Sequence, residues 1–546
     1  MKPAGFAGYP INYSAEKLLI CCHFHKYPAK TSHQTRRVVK ILIFSEKTGK
    51  KGLFFAVFYS IIYDGKIFMG CVEHFRPIQI QTDWRIIQVA RKTLAEMEQA
   101  LADSKARQRL DSLFDEDSFV EIDRFVSSKG ETAAVITGYG LVDGAPVYAF
   151  SQDIAVKGGA MTKAAAAKIR KIYDMAIKNG APVVGIYDSK GGDIAEGAEM
   201  LGAYADVAAA SAQLSGVVPQ ISLVAGLCAG TAAMTACMAD FVVMTEKSEF
   251  FMTAPFVAED GNMAGAGTAA NAAKSGTAAI VAKDDEAAIN EVKKLIRILP
   301  SNNLELSGND YYADNDADIT ASLKGGDMVK AIADKDSVTE LYGAFGKASF
   351  VALGSVSWKT VGFVATDKTA DKLTSEDSAK IARFVSFCDA FSIPVVTILD
   401  SEGFGGGAAA ELSGSIRDAA KLAQIYASAT TAKITIITEK AYGSAYCAVA
   451  PASDTVIAYE NSVISAVAPK ASVIFLKGGE LNGTNEAQLI ADYTENEASA
   501  FTLAGLGKLD RIIDPADTRA AVLSALDILA GKRVAAPQRK HINFVY

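Results

Sequence analysis

From about residue 112 onward, the apolar positions follow two alternating patterns. Residues 183–186, 221–224 and 241–244 are unbroken, largely β-branched runs, which predict short strands buried on both faces. Residues 162–178 are Ala-rich, with Ile169, Ile172, Tyr173 and Ala176 at helical spacing, and Asn179-Gly180 predicts the stop. Residues 199–214 predict a second helix. Strands alternating with helices imply an α/β fold with mostly parallel strands and right-handed crossovers.

The pattern is written twice. Ala181-Pro182-Val183-Val184-Gly185-Ile186-Tyr187-Asp188-Ser189 is matched by Ile393-Pro394-Val395-Val396-Thr397-Ile398-Leu399-Asp400-Ser401. Ile221-Ser222-Leu223-Val224 and Ala229-Gly230-Thr231-Ala232 are matched by Ile434-Thr435-Ile436-Ile437 and Tyr442-Gly443-Ser444-Ala445. Asp240-Phe241-Val242-Val243 meets Asp454-Thr455-Val456-Ile457, Pro255 meets Pro469, and the openings Asp117-Ser118 and Asp336-Ser337 agree. Blocks kept in one order over a separation this long indicate duplicated domains rather than a solenoid. Residues 283–338, with Pro300-Ser301-Asn302-Asn303 and the acidic stretch 310–318, read as a solvated connector.

The first ninety residues do not share this plan. They carry 13 Lys+Arg against 5 Asp+Glu and four of the five histidines, in a chain whose net charge is −7. That overall charge argues against a dedicated nucleic-acid binder. The apolar run 53–63 is too short to span a bilayer. It resembles a signal-peptide core but starts late and lacks a small-residue cleavage site. The expectation is that the native start lies at Met69 or Met97. Cys21-Cys22-His23-Phe24-His25 has no second ligand pair at zinc spacing, so no metal site is expected. Seven cysteines, an odd number in a long chain, argue against a disulfide framework and for a reducing compartment, here the cytoplasm.

Each half has a strand that runs into a glycine-bearing loop, Asp188-Ser189-Lys190-Gly191-Gly192 and Asp400-Ser401-Glu402-Gly403-Phe404. Each then has a second strand ending in a small-residue turn before an Ala-rich segment, Cys228-Ala229-Gly230-Thr231 and Ala441-Tyr442-Gly443-Ser444-Ala445. The first amides of a helix lack intrahelical acceptors, and two converging amides make an oxyanion hole. One such hole is expected per half. Glycines can also serve only to permit tight turns, but recurrence after the same strand in both halves favours function. After residue 90 the only histidine is His541, so a Ser-His-Asp triad has no base. No HExxH, paired CxxC or GxxxxGK[ST] occurs. Cys228 and Cys447 read as small packing residues, and Asp188 and Asp400 as groups that satisfy loop backbone.

At these residues the chain resembles the carboxyltransferase subunits of biotin-dependent acyl-CoA carboxylases and of sodium-pumping acyl-CoA decarboxylases. The resemblance is carried by Ser118-Phe119-Val120-Glu121, 178–188, Ser215-Gly216-Val217-Val218-Pro219-Gln220-Ile221-Ser222, Leu299-Pro300-Ser301-Asn302-Asn303, 384–394, Lys440-Ala441-Tyr442-Gly443-Ser444-Ala445-Tyr446 and Asp514-Pro515-Ala516-Asp517-Thr518-Arg519. It implies two tandem crotonase-like ββα-superhelix domains. The expected divisions are an atypical extension over 1–95, an N-terminal carboxyltransferase domain over 96–310 and a C-terminal one over 311–546. It implies a site shared between the N-domain of one subunit and the C-domain of another. The amides of Gly230 and Thr231 would hold one oxyanion, the thioester oxygen, and those of Ser444 and Ala445 the other, the biotin ureido oxygen. Gly191, Gly192, Gly403, Phe404, Tyr446 and Cys447 would line the substrate.

The resemblance also implies the missing base, since the biotin nitrogen takes the α-proton of the acyl-CoA. No lysine has an Ala-Met-Lys-Met-type context, so biotin is expected on a separate carrier protein. Further implied partners are a biotin carboxylase or a decarboxylase membrane subunit, and further copies of the chain, from dimer to hexamer. Three departures stand out. Asp193 replaces an arginine of the family's first loop, with Lys190 a nearby cation. Cys447 occupies a position that shapes acyl-chain choice. Arg417 and Lys421 match basic residues on a helix that is either a solvated face or part of the site. The readings left open are a carboxylase subunit, a decarboxylase subunit, a non-catalytic acyl-CoA-binding scaffold and, less favoured, a lone crotonase-type hydratase.

Overall fold

The computed structural model describes strands 19–26, 37–44, 58–63 and 66–69, and residues 104–128, 131–254, 265–305, 312–482, 484–534 and 543. Two compact units divide the chain, Met1–Gln99 and Ala100–Tyr546. In the first, Leu19–Lys26, Arg37–Phe44, Phe58–Tyr63 and Lys66–Met69 form a four-stranded antiparallel meander. The Cys21–His25 cluster lies in its first strand, and Met69 ends the last. Met97 and the expected divisions at 95/96 and 310/311 lie outside the described residues.

The second unit holds two eight-stranded sheets of one plan. The first runs Ile280–Ala282, Phe241–Thr245, Gln220–Ala229, Val183–Ser189, Ala145–Gln152, Val135–Val142 and Val120–Ile122, with Glu249–Phe251 paired beside Gln220–Ala229. The second runs Thr339–Leu341, Phe350–Val356, Lys359–Ala365, Val395–Ser401, Lys433–Tyr442, Thr455–Tyr459 and Arg511–Ile513, with Val463–Ser465 beside Lys433–Tyr442. In each, a hairpin opens the sheet and the following strands add in parallel. Val183–Ser189 and Val395–Ser401 are buried along their whole length, as their lack of alternation predicts. The repeated openings fold alike. Asp117 and Asp336 both take positive φ, and the Ser118 and Ser337 hydroxyls bond back to the carbonyls of Asp115 and Asp334.

The crossover helices also correspond. Thr162 caps Lys163–Asn179, and Gly180 ends it in the left-handed region. Thr374 caps Ser375–Ala390 in a reciprocal box with Asp377. Six residues beyond each cap is a buried lysine. Lys168 donates to the Val135 carbonyl, and Lys380 donates to the carbonyls of Phe345, Gly346 and Ser349. Burial lowers the Lys380 pKa to about 8. Between that value and the ordinary lysine range the unfolded chain holds the proton that the folded chain has released. Stability contributed by this residue therefore rises with pH across that window. Lys380→Met is expected to destabilise the protein more at pH 9.5 than at pH 7.5 in urea titrations. An equal loss at both values would refute the assignment.

The connector departs from expectation. Asp285–Ile298 is an amphipathic helix capped by Asp284, and it buries Ile289, Val292, Leu295 and Ile296. Its apolar spacing meets the helical period, and the acidic and Pro-Asn signals on its far side obscured it. Thr360 of the second sheet bonds to the Ile298 carbonyl. One apolar cluster continues from Val184, Ile221 and Phe241 through this helix to Val364, Phe384 and Phe387. The Phe241 and Phe387 rings meet edge-on at 4.6 Å.

Candidate functional site

In both halves the two central strands slip register just before the glycine loop. Tyr187 pairs with Val224 but Ser189 with Cys228, and Leu399 pairs with Ile437 but Ser401 with Ala441. Two extra residues therefore bulge from the second strand of each pair. A buried aspartate occupies each bulge. Asp188 accepts from the Leu227 amide and from Arg109 at 2.8 Å. Asp400 accepts from the Lys440 amide and from Lys324 at 2.8 Å. Arg109 also reaches Asp285 and the Ala225 carbonyl, and Lys324 also reaches Glu439. Burial opposes the Arg109 charge, but its bonds to Asp188 and Asp285 outweigh burial and raise its pKa. Bonds to Asp400 and Glu439 raise that of Lys324. Both aspartates thus serve the loop backbone, as the sequence predicts. No sequence motif singles out Arg109 or Lys324 as their partners.

Gly226 sits inside the first bulge, where an added Cβ would lie 2.3 Å from Asp188 Oδ1. Gly226→Ala is expected to cost about 1–3 kcal/mol through overpacking, read as a lowered denaturation midpoint. An unchanged midpoint would show that the bulge is not tightly packed.

The loops after the aspartates superpose in detail. Gly191 and Gly403 have φ of 113° and 110°. Their amides donate to Ser189 Oγ and Ser401 Oγ, and their carbonyls accept from Met161 and Leu373. A Cβ on Gly191 would stand 3.6 Å from the Ala229 carbonyl oxygen, and one on Gly403 3.8 Å from that of Tyr442. Each glycine loop therefore lies against the turn that follows the neighbouring strand. Gly192 and Phe404 are the next residues, bridged in parallel to Met161 and Leu373. Gly192 is closed in by Met200, whereas Phe404 packs partly on the core.

The turns place the candidate donors. Strand register makes Gly230 the counterpart of Gly443, Thr231 that of Ser444 and Ala232 that of Ala445. Gly230, just before the helix Thr231–Ala236, and Gly443, the first residue of Gly443–Val449, take φ of 66° and 52°, a conformation that favours glycine. The Gly230 amide is engaged, donating to the Phe251 carbonyl at 2.8 Å. This alters the expectation for the first pair, because Gly230 shapes the turn rather than offering an open donor. The counterpart of Ser444 and Ala445 is Thr231 with Ala232. Among the described residues, no acceptor meets the amides of these four. The block match Ala229-Gly230-Thr231-Ala232 with Tyr442-Gly443-Ser444-Ala445 already contained this register.

Other expected residues surround the turns. Tyr446 is half-buried on the helix after Ser444, and burial raises its phenol pKa. Cys447 is exposed, so it does not pack inside as expected, while Cys228 does and burial pushes its thiol up. Asp193 caps the Ala195 amide and faces Lys157 at 3.4 Å, so its charge is partnered. Lys190 is exposed, its stem against Gly158. Arg417 pairs with the adjacent Asp418 through two bonds. No group of three or more His, Cys, Asp or Glu among the described residues is placed to hold a metal ion. No helix among them is long and apolar enough to cross a membrane.

A duplicated α/β chain with paired open amides invites comparison with known proteins. Residues 101–544 match the model of the carboxyl transferase domain. The chain is 36% identical over 488 residues to the methylmalonyl-CoA decarboxylase subunit alpha of Propionigenium modestum, covering 82% of this chain and 94% of that one. It is 36% identical to the propionyl-CoA carboxylase beta chain of Roseobacter denitrificans, covering 80% and 93%. A crystal structure of transcarboxylase 12S, a hexamer assembly with methylmalonyl-coenzyme A and methylmalonic acid bound, is 32% identical. It covers 83% of this chain and 95% of its own, with a TM-score of 0.77. The match extends over both sheets and the turns between them, and the chain therefore belongs to the carboxyl transferase domain family.

Proposed function

We propose that this chain is a biotin-dependent carboxyltransferase, moving a carboxyl group between carboxybiotin on a separate carrier protein and a short-chain acyl-CoA. The observation that carries this reading is the same open-amide turn, set by the same bulge, in both halves. In the reading, Thr231 and Ala232 donate to one oxyanion and Ser444 and Ala445 to the other, with Gly230 and Gly443 holding the turns. Each amide pair fits a single carbonyl-type oxygen, such as that of a thioester or of a ureido ring. Biotin supplies the carboxyl carrier and the proton acceptor, which accounts for the lack of a side-chain base.

The chain's own part is to bind and orient. The two amide pairs stabilise negative charge as it develops on oxygen, where fixed donors act without reorganisation. Gly191 and Gly403 allow each loop to approach its turn. Gly192, Phe404, Tyr446 and Cys447 line the substrate. Residues 96–310 and 311–546 act as the two domains, and the shared site is completed by a second copy in a homo-oligomer. The names of the relatives support both directions of transfer, and the same donors serve both. The free cysteines support a cytoplasmic setting.

The test mixes the purified full chain with biotinylated carrier or free biotin and malonyl-, methylmalonyl- or glutaconyl-CoA. Biotin-dependent decarboxylation of any of them is expected. Tight binding of CoA esters with no turnover would overturn the reading in favour of a scaffold.

A further inference from the structure

A cavity of about 350 Å³ lies where the two halves meet, at the C-terminal end of the helix Thr231–Ala236 that follows the first turn. Its first wall comes from residues 215–216 and 237–241, at the start of Gln220–Ala229 and Phe241–Thr245. The open amides stand past the other end of Gln220–Ala229. The helix Thr231–Ala236 joins the first turn to Cys237 of the cavity wall and spans about 9 Å. The second wall comes from Tyr342 and the helix Ser375–Ala390.

Its chemistry is uneven. The floor is the outer edge of the core, where the nearly buried Phe241, Phe384 and Phe387 show only ring edges. Above it stands one exposed arginine, Arg383, stacked 5.5 Å from the Tyr342 ring centre. Its Nη2 donates to the Asp240 carbonyl at 3.2 Å and reaches toward that of Ala239 at 3.5 Å. Those bonds and the ring stacking fix the plane of the guanidinium. Among the described residues, no acceptor meets its Nε or Nη1, and no carboxylate lies within ion-pair distance. The nearby Asp240 carboxylate is occupied elsewhere, accepting from the Gln220 amide at 2.8 Å. Ser215 and Ser386 add hydroxyls to the lining.

An oriented guanidinium with a free edge above an aromatic floor suits a planar anion with an apolar body. Arginine matches carboxylate in two parallel bonds, and the rings accept the remainder of the ligand. A cavity of this size is at the small end of ligand sites. The geometry points to a second binding site, between the halves, for a small aromatic carboxylate held by Arg383. It is separate from the acyl-CoA site of the proposed function and does not depend on that reading. Because it touches both halves, its occupant stabilises their junction.

The test uses the full chain with 2-naphthoate, and with 2-naphthamide as the uncharged match. Saturable 2-naphthoate binding by calorimetry, with a raised melting temperature, is expected. Loss of the charged, two-bond contact in 2-naphthamide or in Arg383→Gln is expected to weaken binding at least tenfold. Arg383→Lys should recover only part of the affinity, since it keeps charge but not the fork. Ala390→Trp, which fills the cavity from its exposed edge, should abolish binding in a protein that still melts cooperatively. Saturating acyl-CoA should leave binding unchanged. Absence of saturable binding, equal affinity for the amide, full affinity in Arg383→Gln, or displacement by acyl-CoA would overturn the proposal.

Discussion

Thr231→Pro and Ser444→Pro are each expected to lower kcat by about 10²–10³, or roughly 3–4 kcal/mol of transition-state stabilisation. Proline deletes one amide hydrogen, and it is tolerated in a first helical turn where that hydrogen has no intrahelical acceptor. Each directly follows a positive-φ glycine, Thr231 as the first residue of its helix and Ser444 as the second. The controls are Thr231→Ala and Ser444→Ala, which keep the amide and change only the side chain. They should retain activity within a few-fold. If proline and alanine variants lose activity alike, the hydroxyls or the local fold matter rather than the amides. If the proline variants remain active, the holes are elsewhere. Circular dichroism and oligomer size should be unchanged throughout, which separates lost catalysis from lost structure.

Arg109→Ala is expected to be the most destabilising single change, at about 3–5 kcal/mol. Arg109 is 4% exposed, and its guanidinium joins Asp188, Asp285 and the Ala225 carbonyl. Its removal leaves the Asp188 carboxylate buried in the bulge with only backbone amide partners. Asp188 is the residue that shapes the first glycine loop, so activity should fall with stability. Arg109→Lys should recover part of the loss, because lysine keeps the charge but cannot make three bonds in fixed directions. Chemical denaturation measures the first effect and steady-state kinetics the second. A loss under 1 kcal/mol would show that Asp188 does not need its cation.

The strands and crossover helices were legible because their apolar runs and caps are local signals. Lys163–Asn179 falls within one residue of expectation, and Val183–Ser189 starts where expected and runs three residues further. The duplication was legible too, since both copies keep the aspartate, the glycine loop and the turn. What the sequence hid depends on distance. Arg109 is 79 residues from Asp188 and Lys324 is 76 from Asp400, so no local pattern links them. Charged and Pro-Asn residues flank the helix Asp285–Ile298 and mask its apolar period, which the sequence does contain. The commitment of the Gly230 amide to Phe251 follows from the short strand Glu249–Phe251, whose pairing has no sequence signature.

The continuous core through Phe241, Asp285–Ile298 and Phe387 ties the two repeats into one folding unit. Cutting the chain into its two repeats would bare that aromatic contact and one side of the intervening helix to water, so neither fragment would inherit a finished surface. The modules remain recognisable as copies, but each now relies on the other to cover its apolar side.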